Sequence, residues 1–166
     1  MIRYFLAFIL VAAGIHAATV WYLPRLAMKT AMARFEDTGM TANTIAHVPP
    51  TDETSRRVVR PSPDLLYSVC MLDLSDGPVH IRAAGWDGYM SLSLFAANTD
   101  NIAAFNDSQI AGDIDVTIVQ SGDAGVALGS ERGIALIRRL AADDVAIARA
   151  DAARREGDLC GETDPS

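Results

Sequence analysis

The hydrophobic pattern divides the chain into stretches with different periods. Residues 4 to 23, YFLAFILVAAGIHAATVWYL, hold no formal charge and run for about the ~20 residues a helix needs to cross a bilayer. Arg3 precedes them. Trp21 and Tyr22 fall where an interfacial aromatic belt lies, and Pro24, Arg25 and Lys29 mark the exit. The pattern predicts a membrane anchor over residues 1–23, with Trp21, Tyr22 and Arg25 at its interface. A cleaved signal peptide is the competing reading, because FLAFILVAAG suits its apolar core. The small-residue cleavage box is poor and the apolar run continues through Leu23, which favours the uncleaved anchor.

A helical stem is expected over residues 24–39: Pro24 suits a first turn and Gly39 a C-terminal stop. Leu26, Ala27, Thr30, Ala31, Arg34 and Phe35 form its partly apolar stripe, to lie on the membrane or pack on the rest of the protein. Residues 40–63 show no period and are rich in Pro and polar residues, as an extended linker would be.

From residue 64 the period becomes two. In LLYSVCMLDL, Leu66, Ser68, Cys70, Leu72 and Leu74 alternate with Tyr67, Val69, Met71 and Asp73. PVHIRAA sets Val79 and Ile81 inward, with His80 and Arg82 outward; YMSLSLFA sets Met90, Leu92 and Leu94 against Tyr89, Ser91 and Ser93. DIDVTIVQ alternates most cleanly, and GIALIRRL suits either a strand or a helix. Ala-rich DDVAIARADAARRE then reads as a helix, with acids at its start and Arg154 and Arg155 at its end to match the helix dipole. The expected fold is α+β and mainly β. A transmembrane helix precedes a small antiparallel β-sandwich or jelly-roll-like domain, residues 64–166, with a C-terminal helix on one face.

Charge narrows the partners. From residue 38 onward there are 10 basic and 19 acidic residues, a balance that repels phosphate backbones and excludes nucleic acid as the expected partner. Arg25, Lys29 and Arg34 follow the anchor where only Arg3 and the amino terminus precede it. The count of positive charges favours a cytoplasmic C-terminus, but long domains translocate largely regardless of charge.

Candidate chemistry concentrates in CMLDLSDGPVHIRAAG, residues 70–85. SDGP has turn chemistry, with Asp76 to bond the backbone ahead, Gly77 for a positive φ and Pro78 to open the next strand. A hairpin is expected there. The histidines His16, His47 and His80 have no ligand spacing for zinc. Ser130 in LGSERG lacks the nucleophile-elbow pattern, and SGDAGVALG lacks the Lys-Ser/Thr of a phosphate loop and reads as a hairpin connection. NTDNIAAFNDSQIAGDID has the composition of a calcium loop without its spacing, and reads as solvated turns. No cofactor is expected. His16 lies inside the apolar run, where it either faces another helix, as a polar residue normally does, or is tolerated as a neutral imidazole. Cys70 and Cys160 form one bridge if the tail folds back beside the Cys70 strand; otherwise they are unrelated thiols.

RPSPDLLYSVCMLDLSDGPVHIRA and YMSLSLFAANTDNIAAFND together resemble the bacterial family called domain of unknown function 1254, especially its short membrane-anchored alphaproteobacterial members. Asp64, Tyr67-Ser68, the LDLSDGPV turn and the strand ending near DNIAAFND carry the likeness. The resemblance implies a β-sandwich or jelly-roll domain. It also implies a disulfide between Cys70 and Cys160, which match the two cysteines of anchored members, and a domain outside the inner membrane. Longer members carry a second domain, the companion family 1214, for which this chain has no room. They usually have Asn where Ser62 stands here.

Two functional readings follow. The first is a non-enzymatic, single-pass inner-membrane protein that presents a periplasmic β-domain to a membrane or periplasmic partner, such as a separately encoded 1214-family companion. The second is a ligand-binding or enzymatic jelly-roll acting with that companion. Asp64, Tyr67, Asp73, His80 and Asp100 would then converge on one apolar pocket.

Overall fold

The computed structural model describes residues 1–51 and 61–162. Helix α1 runs unbroken over Ile2–Glu36 and turns off at Gly39, whose φ of +86° is the left-handed conformation that glycine adopts without penalty. Anchor and stem are thus one helix. Pro24 lies inside it and does not start a second one, so the chain continues helically past the lost backbone donor. The buried stripe of the stem also differs from the expected one. Met28 and Met32 are buried, with Phe35 packed beside them, while Leu26, Ala27 and Thr30 stay exposed.

Among the described residues nine strands form two sheets. The first has the order β1-β2-β8-β4-β5, from β1 (Ile45–His47), β2 (Leu65–Asp73), β8 (Arg132–Leu140), β4 (Met90–Ala96) and β5 (Asn101–Asn106), all antiparallel. The second has the order β7-β6-β3-β9, from β7 (Val126–Ala127), β6 (Ile114–Val119), β3 (Val79–Ala83) and β9 (Leu159–Glu162); its β6–β7 pair is parallel. The sheets face each other across Cys70, Leu72, Val79, Ile81, Leu92, Leu94, Ile118 and Ile137, all buried. The fold is therefore the expected β-sandwich, and GIALIRRL is a strand.

Several local expectations are corrected. SDGP is no hairpin: β2 belongs to one sheet and β3 to the other, so the turn carries the chain across the sandwich, with Gly77 at φ +143°. SGDAGVALG leads into a parallel pairing, and the middle of NTDNIAAFNDSQIAGDID is strand β5, paired with β4. The linker holds strand β1 in register with β2, Ile45 opposite Cys70 and His47 opposite Ser68. Its residues 52–60, like the final 163–166, lie outside the described residues.

Burial explains the least regular strand. Both faces of β2 are covered: Cys70 and Leu72 face the other sheet and Leu66 packs with Ala150 of the C-terminal helix, while Val69 and Met71 meet Met28 and Met32 of α1. Helix α2, Asp144–Gly157, is capped by the Asp143 carboxylate, which accepts from the Ala146 N–H at 2.8 Å. It touches β2 of one sheet and β3 of the other instead of lying on one face.

Candidate functional site

The five polar candidates do not gather. Asp64 is exposed at the start of β2, and Asp73 ends the same strand, about 30 Å away at ~3.3 Å per residue. The Tyr67 hydroxyl accepts from the Ser62 N–H at 2.9 Å. The Asp73 carboxylate is bound by the Ser75 hydroxyl and N–H, which hold it below the usual carboxylate range. The Asp73 backbone exchanges two bonds with the Asn43 side chain, which extends the β1–β2 ladder by one rung. His80 and Arg82 point outward from β3 and reach diagonally to Asp115 on β6 and to Asp113 just before it. Asp113 is held low by the Gly85 N–H and then by Arg82. Asp100 sits in the β4–β5 turn, bonded to Asn98. Two shallow depressions flank α2, and none of the five lines either of them. Among the described residues no three His, Cys, Asp or Glu side chains gather as metal ligands.

A different polar cluster lies between the sheets. Arg139 on β8 holds Asp158 through two bonds, Nη2 to Oδ1 at 2.5 Å and Nη1 to Oδ2 at 2.9 Å, with both side chains essentially inaccessible. Asp158 also accepts from the Ala84 N–H at 2.9 Å and the Ser68 hydroxyl at 3.2 Å, while Arg139 donates to the Ala84 carbonyl. The buried carboxylate is thus satisfied on both oxygens, whereas the Arg139 Nε is buried without a partner among the described residues, so the pair is compensated mainly on the acid's side. Arg154, also buried, donates to the Tyr67 carbonyl and to Asp151. Asp151 is held below its usual range, first by Arg155 and also by Arg154.

His47 closes the cluster, its Nδ1 2.9 Å from the Ser68 oxygen. The Ser68 proton is given to Asp158, so the imidazole serves as donor to Ser68 in this arrangement. Serine thus stands between the acid and the histidine. A hydrolytic triad needs the histidine in the middle, as base toward the serine, and Ser68 is only 1% exposed. Burial first, then Arg154, pushes the His47 pKa below 6.5.

Two residues along from this contact in both segments, Cys70 and Cys160 form a disulfide with their Cα atoms 6.4 Å apart. The tail folds back as β9 beside β3 to make it, joining the first sheet to the second. Of these residues the sequence pointed to the cysteines, to Ser68 within the family likeness, to His47 as a histidine without ligand spacing and to Arg154 at a helix end, but not to their meeting. The one signal of that meeting was a serine, Ser68, on an otherwise apolar strand face.

At the other end, Arg25 lies over the Trp21 ring, 4.2 Å from its centroid, and donates to the Trp21 carbonyl. Trp21 and Tyr22 are exposed. Helix α1 is long and apolar enough to cross a membrane, and its most apolar 18-residue window is wholly unburied. A signal sequence near an N-terminus has the same length and composition.

These features define a class: a disulfide-bonded β-sandwich carried on an exposed apolar helix. The chain belongs to the family described as Protein of unknown function (DUF1254), which it matches over residues 42–159. No curated protein matches it. The VPA0106 protein from Vibrio parahaemolyticus shares the fold over 84% of this chain and 35% of that one, with a TM-score of 0.61 at 15% identity. An uncharacterized protein from Burkholderia cenocepacia shares it over 90% and 44%, with a TM-score of 0.52 at 16% identity. The chain thus spans less than half the length of both. Disulfides persist in oxidising compartments, so the bridge points to an extracytoplasmic domain.

Proposed function

We propose that this protein is a single-pass inner-membrane subunit whose sandwich stands in the periplasm and binds another membrane or periplasmic protein, without chemistry of its own. The observation that carries the reading is the union of anchor and domain. Met28 and Met32 of α1 pack on Val69, Met71 and Ile134 of the sandwich, and Glu36 pairs with Arg132 at 2.8 Å. The helix runs without a break from the apolar stretch to that seat, which favours a helix kept with its domain over a cleaved leader. The polar cluster supports the same reading, since its charges are spent on holding the sheets together. A protein of the companion 1214 type is the partner class we infer; both solved relatives extend well beyond the region shared with this chain.

Purification of the tagged full chain from native membranes in mild detergent tests the partner. The expected result is a stable complex containing a second membrane or periplasmic protein. Recovery of this chain alone, across several growth conditions, contradicts the proposal.

A further inference from the structure

One group in α1 is out of keeping with the surroundings expected for it. His16 lies about 4 Å from the middle of the charge-free run at ~1.5 Å per residue. Its ring is exposed and without a partner among the described residues. In hydrocarbon, unsatisfied ring nitrogens are costly, so such a side chain turns toward another helix. The positions sharing its face alternate in steps of four and three: Ile9, Ala13, His16, Val20, Leu23 and Ala27. That is the 3.5-residue repeat of a left-handed helix pair. All six are exposed. The sandwich uses a different face, Met28, Met32 and Phe35, which begins one residue on and about 100° round the helix. The seam is therefore left free along its length.

A second copy supplies what His16 lacks. Every copy inserts in the same direction and to the same depth, so a parallel pair sets His16 against His16. A neutral imidazole carries one donor and one acceptor nitrogen, which makes two such rings complementary. Ala13 and Ala27 on either side allow close approach of the backbones, and one polar residue in the seam fixes its register. We propose that the chain forms a parallel dimer through this seam, joined by a hydrogen bond between the two His16 rings. The proposal rests on the anchored reading above.

Single cysteines introduced along α1 of the full chain and oxidised in isolated membranes provide the test. Ile9→Cys, Ala13→Cys and Val20→Cys are expected to cross-link two copies, and Val11→Cys, Ile15→Cys and Ala18→Cys on the opposite face are not. In vesicles, energy transfer between labelled chains should show His16→Leu lowering the association constant about three- to tenfold, with His16→Asn retaining it. Cross-linking without this periodicity, His16→Leu dimerising like the parent, or capture of a different protein by the seam cysteines overturns the dimer. If the chain resists an alkaline membrane wash yet fails to cross-link, the dimer falls and the anchor stands. A chain released by that wash overturns both.

Discussion

Ser68 and Asp158 meet through a hydrogen bond of 3.2 Å, and two residues further along both segments Cys70 and Cys160 are covalently joined. Strand β2 is thus tied to the C-terminal segment twice, once by a polar contact and once by a disulfide. Arg139 makes the first tie possible by neutralising Asp158 where neither group reaches water.

Asp158→Ala should therefore cost about 3–5 kcal/mol, because it strands the Arg139 guanidinium in the core. Arg139→Met with Asp158→Leu should be milder than the single change, since no charge is then left unpaired. Urea unfolding of the full chain in detergent compares them. A single variant as stable as the parent would show that the pair is not held dry.

The bridge closes a separation of 90 residues. Cys70→Ser with Cys160→Ser should lower stability by about 2–5 kcal/mol, the range seen when native disulfides are removed from small domains. Thermal unfolding with and without reductant measures it. An unchanged midpoint after complete reduction would argue against a stabilising bridge.

The pH dependence has a sign. His47 titrates lower in the folded chain than its free value of 6.5, so the unfolded state binds the proton first. Its contribution is present above 6.5 and is lost as pH falls from there through the folded value. The lowered carboxyls of Asp73, Asp113 and Asp151 act only further down, below 3.8. Stability measured between pH 7 and 5 should fall with acidification, and His47→Gln should flatten that slope. An equal slope in the variant would assign the effect elsewhere.

The seat of α1 on the sandwich is open to a direct change. Met32 is 5% exposed, and Met32→Ala should cost about 2 kcal/mol or more by leaving a cavity against Met71. The helix would then detach more often, so limited proteolysis between residues 37 and 44 should speed up while the sandwich fragment stays resistant. Equal cleavage rates would mean that the helix is not held there.

What was legible in the sequence follows from what produces each signal. Strands with one wet face, such as Val79–Ala83, alternate and are read directly. Strand β2 alternates in sequence as well, yet both faces are buried, because α1 covers Val69 and Met71; only the fold reveals that. Strands β1 and β9 are too short to show a period and exist because β2 and β3 offer them an edge. SDGP has the residues of a turn, but residues alone do not say whether a turn joins neighbours in one sheet or crosses between two. Arg139 looks like a surface cation, since nothing local announces Asp158 beside it; Asp151 is a helical neighbour of Arg154, but nothing local announces the burial of Arg154 against the Tyr67 carbonyl. Asp64, Asp73 and Asp100 stand out in the sequence by type and position alone, and the fold spreads them along strand ends and turns.

The central claim is an anchored helix with its sandwich outside the cytoplasm. A membrane-impermeant thiol reagent applied to spheroplasts, before and after mild reduction, tests it most directly. The account predicts that Cys160, the less buried of the pair, is labelled only after reduction, on a chain that stays in the membrane pellet through an alkaline wash. Labelling without reductant, and only once the cells are permeabilised, would place the domain in the cytoplasm with free thiols and contradict it.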